Sequence, residues 1–166
     1  MKLVLLMLAL FAAVPALPQS PDKDPAAILE FGGAASVNPK EGTSSYGPSF
    51  AFEVTPIENW LEIEAGTTPL FRSNSTEWDT DAIFKKPWTL SRKAEFMAGI
   101  GPEWVHSNEA GSRPNSIAGE AALDLMFWPT GKHRFGWYIE PTYDYNFMRG
   151  HEQSIGVSAG VLIAIP

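Results

Sequence analysis

Acidic residues recur in this sequence at even spacings inside otherwise oily segments: Glu62 and Glu64, Glu120 and Asp124, Glu140 and Asp144. Successive side chains of a β-strand point to opposite faces, so residues two or four apart share one face. Carboxylates gathered in this way can hold a cation weakly, conduct protons, or form a hydrogen-bonded filling. A second candidate is His106 beside Ser107, an imidazole next to a hydroxyl. Neighbours on a strand face opposite ways, which undermines that pair. The three histidines, His106, His133 and His151, fall in or beside connections with no regular ligand spacing, so no ordinary metal site is expected. The sequence carries no Gly-x-Ser-x-Gly, phosphate loop or dinucleotide fingerprint, and neither catalysis nor a cofactor is expected.

The elements that position these acids are strands. From Phe135 to Phe147 the odd positions read Phe135, Trp137, Ile139, Pro141, Tyr143, Tyr145 and Phe147, and the even ones Gly136, Tyr138, Glu140, Thr142, Asp144 and Asn146. Seven further segments alternate likewise. They lie over 27–37, over 46–55, from Leu61 to Gly66, over 77–85 (the least clear), from Glu95 to Trp104, from Ile117 to Phe127, and from Ser154 to Ile165. Their polar faces gather Glu30, Glu53, Glu62, Glu64, Asp81, Glu95, Glu103, Glu120, Asp124, Glu140 and Asp144 into one candidate interior network. Lys85 is the clearest base on that face. Buried carboxylates without compensation are very costly, so water, bound cations, retained protons or the arginines Arg72, Arg113 and Arg149 must neutralise them. Small residues on the same face (Gly32, Gly47, Gly99, Gly101, Gly136, Gly156, Gly160) leave room for larger ones opposite.

The N-terminus reads differently. Lys2, the apolar run Leu3 to Val14 and the small residue Ala16 make a secretory signal peptide over 1–16, cut after Ala16. Pro15 and Pro18 stop that run short of the roughly 20 residues a spanning helix needs. A lead segment over 17–26 follows, and 27–166 forms a single domain. Cysteine is absent, which excludes a lipid-modified N-terminus and any disulfide. The net charge of -7 argues against nucleic acid as a partner.

The connections Thr55 to Asn59 and Trp128 to Lys132 are short and rich in Pro, Gly and Asn, with Lys86 to Lys93 slightly longer. Those between them in order (Asn38 to Ser45, Thr67 to Thr76, Ser107 to Asn115, Met148 to Gln153) are longer and polar, as in barrels whose short turns face the periplasm. Trp60, Trp78, Trp88, Trp104, Trp128 and Trp137 crowd near strand ends, where amphipathic rings suit a membrane boundary. Together these features resemble the small eight-stranded outer-membrane β-barrel proteins of Gram-negative bacteria. The resemblance implies an all-β, antiparallel, up-and-down transmembrane barrel with a narrow, acid-rich lumen, and a structural or surface-interaction role in the outer membrane. Eight strands leave a lumen just filled by side chains, so no wide pore is expected. Ser158 to Ile165 resembles the terminal signal that barrel-assembly machinery reads on a last strand, although the chain ends at Pro166 instead of Phe. That machinery and outer-membrane lipid are the implied partners; any partner of the outer loops is unspecified. Two alternatives stand beside this reading. Trp104-Val105-His106-Ser107-Asn108 faintly resembles the His, Ser and Asn signature of outer-membrane lipid A deacylases, which implies a lipid-modifying hydrolase using His106 and Ser107. A soluble, lipocalin-like barrel would instead turn its apolar residues inward around a small ligand.

Overall fold

The computed structural model describes residues 25–109, 111, 114–130 and 133–165. The expected signal peptide, most of the lead segment, Arg113 and Pro166 lie outside the described residues. Eight strands follow one another: β1 (Ala27–Asn38), β2 (Thr43–Ile57), β3 (Leu61–Phe71), β4 (Thr76–Ser91), β5 (Ala94–Ser107), β6 (Asn115–Phe127), β7 (Phe135–Asn146) and β8 (Gln153–Ile165). Each pairs antiparallel with its sequence neighbours, and β1 pairs with β8, from Ala27 opposite Ile165 to Val37 opposite Ile155. The sheet therefore closes, and no strand is left with an unpaired edge. Closure is what lipid requires, because an open edge would leave backbone groups with no partner.

The alternation decides which face closes inward. Ile100 is 67% exposed on the outer wall, Phe135 54% and Leu123 49%, and Phe50, Phe84, Ile139, Tyr143 and Val157 share that face. Glu30, Glu53, Glu64, Asp124 and Glu140, on the opposite faces, are buried. An apolar wall running right round the molecule is far more than a water-soluble monomer exposes, and it suits a hydrocarbon solvent. The lipocalin-like alternative needs the reverse polarity, and the structure overturns it.

Three expectations about the connections need correction. Strand β4 continues through Lys86, Pro87, Trp88, Thr89 and Leu90 to Ser91, where a connection was expected. Lys86-Pro87 reads as a turn because proline cannot donate to a ladder. Here Pro87 is buried opposite Met97, and the outward alternation of Phe84, Lys86, Trp88 and Leu90 carries the strand on. Strand β3 likewise takes in Thr67 to Phe71. The connections 39–42 and 72–75 are consequently short, and the connection 128–134 is as long as 108–114, so the expected contrast between short turns and long loops is weak. Finally, Trp60, Trp78, Trp104 and Trp137 are exposed on the outer wall, whereas Trp128 is 1% exposed and turned into the barrel.

Candidate functional site: a lumen in three tiers

The lumen is layered along the barrel axis. At the end that holds the start of β1 and the finish of β8, Ile28, Met97, Met126, Trp128, Tyr138 and Leu162 pack into an apolar floor. Tyr138 and Ser49 share a hydrogen bond of 3.1 Å, and a side chain at Gly32 would come within 2.7 Å of the Tyr138 hydroxyl. Gly32 thus keeps the space that the ring occupies. Glu95, half-buried, belongs to the inward face of β5 near this end.

Above the floor sits Lys85, its side chain wholly buried. Its ammonium has three donors. They go to Glu140 at 2.5 Å, to Asp124 at 3.2 Å and to Glu64, with Glu53 a further ion-pair partner at 3.8 Å. Glu62 lies directly opposite Lys85 across the β3–β4 ladder. The stem of Lys85 fits only because Gly99 faces it on β5; a Cβ there would stand 2.7 Å from Lys85 Cγ. Four strands besides β4 thereby send carboxylates to one ammonium. A buried pair of this kind is held together by its counter-ion, and removing one member strands the other.

The third tier has no such cation. Asp79, Asp81, Glu103, Glu120 and Asp144 surround a cavity of about 70 Å³, which Glu30, Glu64 and Glu140 of the tier below also line. Among the described residues its wall carries no Lys or Arg. The register places like charges face to face, Asp81 opposite Glu103 and Glu120 opposite Asp144, pairings that ordinarily destabilise a sheet. Carboxylate oxygens of Glu103, Glu120 and Asp144 all lie within 4.8 Å of one another. Two unit charges at that separation repel by roughly 3.5 kcal/mol at an effective dielectric constant of about 20. Gly66 leaves the space that Asp81 fills, for a Cβ there would meet its carboxylate at 2.8 Å.

Among the described residues, cations return at the mouth. Arg149, in the connection between β7 and β8, reaches Glu77 at 2.6 Å. Its position is fixed by Asn146 Oδ1, which accepts the backbone N–H groups of Met148 and Arg149 at 3.0 and 2.9 Å. Arg72 lines a smaller cavity of about 40 Å³ with Asp79, Glu103 and Asp144.

All eleven residues of the sequence-derived network lie on inward faces, but in separate tiers. Glu53, Glu62, Glu64, Asp124 and Glu140 gather about Lys85, Asp81, Glu103, Glu120 and Asp144 form the upper group, Glu30 lines the wall between, and Glu95 lies nearer the floor. Sequence reasoning passed over Asp79 as a site residue, although it alternates with the outward Trp78 and Thr80. His106 and Ser107 diverge. His106 points outward, bonded through Nδ1 to Asn115 at 2.8 Å, while Ser107 is 3% exposed and its Oγ accepts the N–H of Glu109.

No protein-family model matches this chain, and no curated protein matches its sequence. Solved structures do match. Neisserial surface protein A is similar at 12% identity and a TM-score of 0.66, over 84% of this chain and 96% of that one. The outer-membrane protein OprG of Pseudomonas aeruginosa is similar at 10% identity and 0.60, over 87% and 96%. The outer-membrane enzyme PagL is similar at 10% and 0.55, over 84% of this chain and all of that one. The architecture is that of the small eight-stranded transmembrane barrels of the bacterial outer membrane.

Proposed function

We propose that the protein is an integral outer-membrane barrel that works without catalysis, in a structural or surface-interaction role. The observation that carries this reading is the closed lumen: the floor of Trp128, Met97, Met126, Ile28, Tyr138 and Leu162 blocks one end, and Lys85 ties the strands together above it. Such a lumen suits neither a wide channel nor the passage of a solute. Outer-membrane lipid is the partner of the apolar wall. Barrel-assembly machinery, reading Ser158 to Ile165 on β8, is the partner during insertion.

PagL shows that this architecture also serves enzymes, so the hydrolase alternative has to be judged on residues. A hydroxyl and an imidazole must meet within hydrogen-bond reach to act together. His106 and Ser107 leave β5 on opposite sides of the wall, which supports the non-catalytic reading. The experiment is planar-bilayer recording of the purified barrel, with a lipid esterase assay in parallel. The expected result is neither large conductance steps nor hydrolysis. Stable, wide steps would contradict the sealed lumen, and esterase activity abolished by His106→Ala would restore the enzyme.

A further inference from the structure

We infer that the upper tier of the lumen is a binding site for a hard divalent cation of the Ca²⁺ type, held by Glu103, Glu120 and Asp144. The acids alone would not carry this. Glu30, 1% exposed, lines the same cavity, and its Oε1 accepts no hydrogen bond from any described residue. One oxygen each of Asp79, Asp81 and Asp144 is buried and unpartnered in the same sense. A buried carboxylate oxygen without a donor is costly, and so many around one cavity call for a positive guest.

Among the described residues no Lys or Arg lines this cavity. Lys85 spends its donors on Glu64, Asp124 and Glu140, and Arg149 is engaged by Glu77 at the mouth. Arg72 borders the neighbouring smaller cavity with Asp79, Glu103 and Asp144, its Nε buried without a hydrogen-bond partner, and the wall of the larger cavity has no base among the described residues.

The geometry selects the class of ion. Ca²⁺ takes oxygen ligands at about 2.3–2.6 Å, so its opposite ligands stand roughly 4.6–5.2 Å apart. The three carboxylates fall within 4.8 Å of one another and need no strand movement to share one ion. An all-carboxylate set without His or Cys suits Ca²⁺ better than a softer transition metal. A cavity of about 70 Å³ has room for the ion and water, which together with second carboxylate oxygens would make up the 6–8 oxygens that Ca²⁺ takes. The smaller cavity shares Asp79, Glu103 and Asp144 with it and lies nearer the loops, beside Glu152 and Gln153.

The test uses the full refolded barrel in detergent at physiological salt, with Ca²⁺ as the probe, titrated by calorimetry and counted by elemental analysis after dialysis. One Ca²⁺ per barrel is expected, with a rise in melting temperature that EDTA reverses. The double variant Glu103→Gln, Asp144→Asn should weaken binding by about tenfold or more and lose the thermal response. Glu53→Gln, in the lysine tier, should leave both intact. Should the double variant fail to give a heat-resistant folded band, Glu120→Gln alone serves the same comparison. No uptake at millimolar Ca²⁺, or uptake unchanged by every upper-tier variant, overturns the inference. It rests on the closed barrel and not on the absence of catalysis: conductance or hydrolysis would sink the functional reading with Ca²⁺ binding still measurable, and missing Ca²⁺ would leave the sealed lumen standing.

Discussion

Around Lys85, four carboxylates, one from each of four other strands, converge on a cation that the chain itself provides, above an apolar floor that shuts out water. A few residues nearer the loops, five more carboxylates face one another across a cavity whose wall offers no base among the described residues. The same strands build both tiers: β4 contributes Lys85 below and Asp79 and Asp81 above, and β7 contributes Glu140 below and Asp144 above. The difference teaches that the acid-rich face is not one network but two solutions to one electrostatic problem. The inner tier has a cation of its own, which offsets part of its charge and ties the strands together. The outer tier is left to an exchangeable partner drawn from outside.

The comparison breaks most severely if the inner cation is removed. Lys85→Met should cost about 3–5 kcal/mol in urea unfolding from lipid vesicles, since it strands four buried carboxylates. Arg149→Met at the mouth, where the partner Glu77 is partly exposed, should cost less in the same assay. Next in size is the lipid wall. Leu123→Arg, next to Asp124 on β6 but outward, should destabilise by about 2–4 kcal/mol if it lies near the bilayer midplane. A smaller loss, about 1 kcal/mol, is expected for Ser49→Ala, which deletes the hydrogen bond steadying Tyr138 in the floor. Smallest, and opposite in sign, is Asp81→Asn. Relieving its repulsion with Glu103 should stabilise the divalent-free barrel by about 0.2–1 kcal/mol. A gain above Lys85 and losses below it would sharpen the contrast between tiers; losses of equal size in both would erase it.

The strands were legible from period-two alternation, seven of them clearly and 77–85 least so, because most have an outward apolar face and every pair except β1 with β8 is local in sequence. What escaped had specific causes. Pro87 hid the second half of β4, since proline in a strand normally marks an end. Trp128 looked like a boundary residue because its neighbours are turn-formers, but its ring stacks on His133 at 5.0 Å and caps the floor instead. The inward acids could be named from alternation on each strand alone. Their partners could not. That Lys85 of β4 meets Asp124 of β6 and Glu140 of β7 depends on how closure staggers distant strands across the lumen, and no local spacing encodes that.

The central claim is that alternate residues of every strand see lipid and a polar lumen. It is tested most directly on β8, whose inward side chains from Ser154 to Gly160 are small and whose sequence background contains no cysteine. Single cysteines placed one at a time over residues 154–163, spin-labelled in vesicles, report collision with lipid-dissolved oxygen. The predicted result is a two-residue oscillation with maxima at Ile155, Val157, Ala159, Val161 and Ile163 and minima at Ser154, Gly156, Ser158 and Gly160. A flat profile, or maxima on the serine and glycine positions, would contradict the account.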